Sequence, residues 1–173
     1  MSKLLRPFFF ASLAFAAPTV IADVAMAQPA EACNSPSGAA LLVDVHGFKR
    51  AQGNLRVQVY GSDPAQFVKG GKRVARIDQP VHGDPMLVCV PLPGPGRYAV
   101  AVRHDLNGDG KSSLSDGGGF SRNPSISLGD TISRKMPAYD SVVVAVGASP
   151  LKVNIVMQYV RGLSIGPIKT AER

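Results

Sequence analysis

The sequence contains no tryptophan, and aromatic residues of all kinds make up 6% of its 173 residues. The densest basic stretch, residues 69–73, has no aromatic side chain beside its two lysines and its arginine. Proteins that bind single-stranded nucleic acid usually combine basic side chains with aromatic rings on which the bases stack. We therefore expect no nucleic-acid partner.

Histidine and cysteine are also scarce, with three and two residues respectively. His46, His82 and His104 lie in separate segments and lack the Cys/His spacing of zinc sites. Ser121 is not surrounded by the G-x-S-x-G elbow of serine hydrolases, and no glycine-rich phosphate loop begins a helix. These absences favour a protein that is not an enzyme.

The first 27 residues are typical of a secretory signal peptide. A lysine and an arginine precede an apolar run over residues 7–21, and Ala-Met-Ala at residues 25–27 forms a small-x-small cleavage site. The run is short for a membrane-spanning helix, although a retained anchor is the alternative. We predict export, cleavage before Gln28, and a mature chain in the periplasm or outside the cell with no transmembrane segment.

The chain is basic. Loss of two positive residues and one negative residue with residues 1–27 changes the net charge from +7 to +6. A positively charged exported protein is attracted to anionic surfaces, so anionic components of the cell envelope are candidate partners. The alternative is that the basic residues lie in solvated loops and bind nothing.

Cys33 and Cys89 are the only cysteines. Exported proteins with two cysteines commonly pair them, so we predict a disulfide that ties the start of the mature chain to a core strand. The alternatives are two buried thiols, or a reactive thiol, although no histidine adjoins either cysteine.

Nearly all the hydrophobic periodicity has a period of two, and no stretch keeps a helical period over three turns. About seven short strands alternate with turns rich in glycine and proline, which is typical of an all-β antiparallel sandwich of immunoglobulin-like or transthyretin-like kind. We expect an N-terminal segment at 28–39, a sandwich domain at 40–160 and a flexible tail at 161–173.

Residues 105–116 nearly match the calcium-loop pattern D-x-[DN]-x-[DN]-G-x₅-E, with aspartate as the last residue. Ca²⁺ prefers six to eight oxygen ligands, and this spacing supplies them from one turn. The candidate ligands are Asp105, Asn107, Asp109, Lys111 through its carbonyl, Ser113 and Asp116. Alternatively the segment is only a tight turn, since Asn and Asp also bond to their own backbone.

Residues 104–111, His-Asp-Leu-Asn-Gly-Asp-Gly-Lys, resemble the His-Asp-x-Asn-Gly-[Asn/Asp]-Gly-Lys signature of the bacterial DUF2141 proteins. The segments 53–60, 95–100, 119–123 and 136–141 are similar to other parts of that family, and the resemblance covers about 41–159. The chain departs from the family pattern in two places: serines at 112 and 113 replace Leu-Asp, and the insert before Gly-Phe-Ser is shortened. Loss of the aspartate weakens a metal site carried over from the family. The resemblance implies an exported sandwich and names no substrate.

Three functions remain as hypotheses. The first is a non-enzymatic envelope module with a structural Ca²⁺ loop; its Pro-Gly-Arg-Tyr strand start is similar to that of transthyretin-like and adhesion sandwiches. The second is a periplasmic carrier for a small or lipidic ligand, which needs an apolar cavity. The third is a hydrolase that uses His104 and Ser121, which needs the two side chains within hydrogen-bonding reach.

Overall fold

The computed structural model describes Cys33 and residues 35–168. The predicted signal peptide, residues 28–32 and 34, and residues 169–173 of the predicted tail lie outside the described residues. The described part contains β1 (Ala40–His46), β2 (Asn54–Tyr60), a 3₁₀ turn (Pro64–Gln66), β3 (Arg73–Pro80), β4 (Met86–Pro91), β5 (Gly96–Asp105), β6 (Gly117–Phe120), α1 (Leu128–Ile132), α2 (Tyr139–Val142), β7 (Val143–Val146), β8 (Leu151–Val156), β9 (Gln158–Arg161) and β10 (Ser164–Gly166).

The strands form two sheets, which confirms the all-β sandwich. The smaller sheet has the order β4-β1-β8, and the larger has the order β10-β9-β6-β5-β2-β3, with β7 paired to β5. A single cluster of buried residues draws on both sheets, with Val43 and Ile155 from the smaller and Val57 and Val100 from the larger. The core therefore lies between the two sheets.

Two features of the sheets differ from the sequence prediction. The strand count is ten rather than about seven, because β6, β9 and β10 are three or four residues long and too short to show alternation. The pairing is also not wholly antiparallel: β1 runs parallel to β8, from Leu41 opposite Leu151 to His46 opposite Val156.

The first part of the predicted flexible tail forms regular structure. Gly162 starts a tight turn, after which β10 pairs with β9 and Ile168 is buried in the core cluster. This hairpin escaped the sequence pattern because Leu163, Ser164 and Ile165 alternate over too few residues. Burial of Ile168 fixes the segment against the sandwich.

The disulfide joins Cys33 to Cys89 on β4, with the two Cα atoms 5.3 Å apart. Both cysteines pack against Ala40 and Leu42 of β1. The segment before the first strand is therefore held against the smaller sheet. In the described chain, no helix has the length and apolar character needed to cross a membrane.

Candidate functional site

The candidate calcium loop connects β5 to β6 at one end of the larger sheet. Asp105 is the last residue of β5, and Gly117, the first residue of β6, lies opposite His104. Glycine is required at 117 because a Cβ atom there would overlap the ring of Tyr159 on β9. The close approach of β6 and β9 thus fixes the Gly117 end of the loop.

Asp105 is the innermost candidate ligand and is only 2% exposed. Its Oδ2 accepts a hydrogen bond from the Gly110 N–H at 2.8 Å and lies 3.4 Å from Nη2 of Arg103. Its Oδ1 is buried and has no hydrogen-bond partner. A buried carboxylate oxygen without a partner is costly, so Asp105 has an acceptor available for a ligand.

Asn107 and Asp109 lie together on the exposed part of the loop. Asp109 Oδ1 accepts from the Lys111 N–H at 2.7 Å, and its Oδ2 accepts from Asn107 Nδ2 at 2.9 Å. The backbone bond from Lys111, followed by the bond from Asn107, lowers the pKa of Asp109 below its usual value. The Asp109 carboxylate is therefore ionised and bonded to its own loop.

Asp116 closes the loop from the other side. Its Oδ1 accepts from the Leu106 N–H at 3.2 Å and its Oδ2 from the Ser113 N–H at 2.9 Å. The Ser113 hydroxyl lies 2.7 Å from that of Ser115. Asp116 thus joins the first and last parts of the loop by bonds to its backbone.

The candidate ligands are not gathered into a metal cage. Within the described residues, no group of three or more His, Cys, Asp or Glu side chains is placed to hold a metal ion. Asp109 and Asp116 instead bond to backbone N–H groups, as in a tight Asx-rich turn. Asp105 is the member of the set whose burial and unused oxygen still fit a cation.

Arg103 belongs to this site and was missed in the sequence. It lies two residues before Asp105 on β5, so both side chains project from the face opposite His104. Its Nη1 donates to the Ser112 hydroxyl at 2.7 Å, and its Nη2 donates to the Gly110 carbonyl at 3.1 Å. The sequence signal that could have identified Arg103 is its position two residues before Asp105 in a predicted strand, because residues two apart lie on the same face.

His104 is fully buried at the end of the core, as its position on the same strand face as Val100 and Val102 predicts. One ring nitrogen, Nε2, lies 2.7 Å from the Gln52 carbonyl, and the other, Nδ1, lies 2.6 Å from the Tyr159 hydroxyl. Because a carbonyl only accepts, Nε2 carries the proton and Tyr159 donates to Nδ1. Burial lowers the pKa of His104, against the opposing effects of the Gln52 carbonyl and two nearby aspartates.

Ser121 is buried and has a structural partner on each side. The Val100 N–H donates to its Oγ at 3.0 Å, and the hydroxyl donates to the Val142 carbonyl. Val100 lies where β7 stops pairing with β5 and β6 begins. The hydroxyl therefore supplies the acceptor that the strand ladder lacks at that point.

The structure does not bring His104 and Ser121 together. Ser121 bonds at Val100, four residues from His104 along β5, which corresponds to roughly 13 Å of extended strand. Both ring nitrogens of His104 also have other partners. The geometry required by the hydrolase hypothesis is therefore absent from this pair.

Residues 162–166, Gly-Leu-Ser-Ile-Gly, spell the G-x-S-x-G pattern, but the first two form the β9–β10 turn and the last three form β10, so the pattern is not a strand-to-helix elbow. The Ser164 hydroxyl donates to the Arg161 carbonyl at 3.1 Å. Beside this hairpin is an open surface cavity of about 430 Å³, lined by Lys49, Val160, Arg161, Gly162, Ser164 and Ile168. Its open shape and cationic lining are unlike an enclosed apolar carrier site.

Comparison with known proteins identifies a family. The family model described as "Uncharacterized protein conserved in bacteria (DUF2141)" matches residues 43–154, which is more than half of the chain and includes the loop. No curated protein and no solved structure matches the sequence.

Proposed function

The chain belongs to the DUF2141 family, and we propose that it is an exported, non-enzymatic β-sandwich of the cell envelope whose loop 105–116 binds Ca²⁺. The disulfide between Cys33 and Cys89 supports export, since such bonds persist in oxidising compartments. The bound ion has a structural role: it stiffens the connection between β5 and β6.

The observation that carries the proposal is the environment of Asp105. Its side chain is 3% exposed, and Oδ1 has no hydrogen-bond partner. Bonding of Oδ2 to the Gly110 N–H holds the carboxyl group inside the loop. Ca²⁺ is a hard cation that takes carboxylate oxygens as ligands, and the buried Oδ1 of Asp105 is free to serve as one.

The remaining oxygens would come from the same loop. Asn107, Asp109 and Asp116 would supply side-chain oxygens, Lys111 its carbonyl and Ser113 its hydroxyl. In exchange, Asp109 and Asp116 would give up some of their bonds to loop N–H groups. Such a cost fits the weak affinity of extracellular sites, with a Kd of about 10⁻⁴ to 10⁻³ M.

The test is calorimetric titration of the exported protein with Ca²⁺, paired with thermal melts in Ca²⁺ and in chelator. With a Kd of about 1 mM, 10 mM Ca²⁺ stabilises the folded state by about 1.4 kcal/mol. For a domain of this size the melting temperature should rise by roughly 3–6 °C. Mg²⁺ at the same concentration serves as the comparison, because it requires a tighter octahedral cage.

Asp105→Asn is the decisive variant, because it keeps the shape of the side chain and removes its charge. It should abolish both the heat of binding and the melting shift. Asp140→Asn is the matched control, since Asp140 is 87% exposed and contacts Arg97. Binding that survives Asp105→Asn, or no binding by the wild-type protein at 10 mM, would refute the proposal.

A further inference from the structure

The guanidinium group of Arg103 already bonds to three residues of the calcium loop. Nη2 lies 3.4 Å from Asp105 Oδ2 and 3.1 Å from the Gly110 carbonyl oxygen, and Nη1 lies 2.7 Å from Ser112 Oγ. The Arg103 side chain is 18% exposed. The positively charged Arg103 side chain therefore already bonds to oxygen atoms of the loop in which Ca²⁺ would bind.

The pairing of Arg103 with Asp105 is incomplete. Arg103 Nε and Asp105 Oδ1 are both buried, and neither has a hydrogen-bond partner. Each partner thus keeps one unpaired polar atom despite the contact between them. The cost of burying an ion pair is offset only when its remaining polar atoms are also bonded. The Arg103–Asp105 pair does not meet this condition, which favours replacement of Arg103 by another cation at Asp105.

We propose that Arg103 is the resident cation of the 105–116 loop, and that it competes with Ca²⁺ for Asp105. Without Ca²⁺, the guanidinium holds the loop closed through Asp105, Gly110 and Ser112. When Ca²⁺ binds, the positive charge of Arg103 opposes it and its bond to Asp105 Oδ2 is lost. Arg103 thereby sets the calcium concentration at which the loop fills, an inference that rests on the proposed calcium function.

The test uses calorimetry to compare the Ca²⁺ affinity of the wild-type protein with that of substituted proteins, each in its mature form. Arg103→Gln removes the competing charge and should lower the Kd at least about tenfold. Arg103→Lys keeps the charge and should have a Kd close to that of the wild-type protein. Arg56→Gln is the matched control: Arg56 lies opposite Arg103 on β2, bonds to Asp78 at 2.6 Å, and should leave the Kd unchanged within about twofold.

A second readout needs no metal. In chelator, hydrogen exchange of the backbone over residues 106–113 should be faster in Arg103→Gln than in the wild-type protein or in Arg56→Gln. Addition of Ca²⁺ should slow it again. Equal exchange in all three proteins would overturn the role of Arg103 in holding the loop.

The outcomes separate the two proposals. Equal Kd values for the wild-type protein and Arg103→Gln overturn the competition and leave the calcium site standing. Binding by Arg103→Gln alone supports the competition and overturns calcium binding as a property of the natural chain. Absence of binding in both overturns both.

Discussion

Acidification should destabilise the protein through one residue, His104. The side chain is fully buried, and its two ring nitrogens bond to the Gln52 carbonyl and the Tyr159 hydroxyl. Protonation would place a second N–H opposite Tyr159. The tyrosine hydroxyl, which also accepts the Lys49 N–H at 3.1 Å, would then have to turn its own proton elsewhere.

The sign follows from the lowered pKa of His104, for which burial is the main cause. The unfolded chain, with a histidine pKa near 6.5, binds a proton that the folded protein resists. This contribution to stability is therefore complete above about pH 6.5 and is lost as the pH falls. The slope reaches at most about 1.4 kcal/mol per pH unit, or up to about 2 kcal/mol between pH 7 and pH 5.

Urea unfolding at pH 7, 6 and 5 measures this loss. The free energy of unfolding of the wild-type protein should fall from pH 7 to pH 5. His104→Gln should be less stable at pH 7, but its free energy of unfolding should change little with pH. His82→Gln, which changes an exposed histidine, should keep the wild-type slope. Aspartates with lowered pKa values, such as Asp44 and Asp78, lose their contributions only below about pH 4. Equal slopes for wild-type protein and His104→Gln would refute the reasoning.

Three further predictions concern stability. Reduction of the disulfide between Cys33 and Cys89, which are 56 residues apart, should cost roughly 4 kcal/mol and lower the melting temperature by about 10 °C, because the unfolded chain regains the conformations that the cross-link excludes. An unchanged melting temperature would contradict this reasoning. Gly117→Ala should cost about 1–3 kcal/mol in chemical unfolding because the new Cβ overlaps the Tyr159 ring, and a neutral result would mean that the β6–β9 contact is looser than the structure has it. Ser121→Ala should cost about 1–3 kcal/mol because it leaves a buried backbone N–H unpaired; full stability would argue against the ladder role of the hydroxyl.

Most of the sandwich was predictable because its long strands alternate. Strands β1, β2, β5 and β8 place every second side chain in the cluster between the two sheets, and this pattern can be read along the chain without knowledge of the partners. Strand β6 could not be found this way, because its three glycines carry no side chains to alternate. Glycine is needed there because Gly117 packs against Tyr159 of β9 and Gly119 packs against Ile155 of β8.

The candidate site was half predictable. The spacing of Asp105, Asn107 and Asp109 identified the loop, and the alternation along β5 placed His104 in the core. The part played by Arg103 depends on how the loop folds back over β5, which brings the Gly110 carbonyl within 3.1 Å of the guanidinium. A contact of that kind is not encoded in the spacing of the loop ligands.

The sequence alone therefore determined the class of fold, the position of the loop and the residue types that it contains, because these follow from local alternation and spacing. Only the tertiary structure decided which polar atoms are buried and which of them have partners. Burial depends on chain segments far apart in sequence, such as Gln52 and Tyr159 around His104. The unpaired oxygen of Asp105 and the guanidinium beside it, on which both proposals rest, belong to this second kind of information.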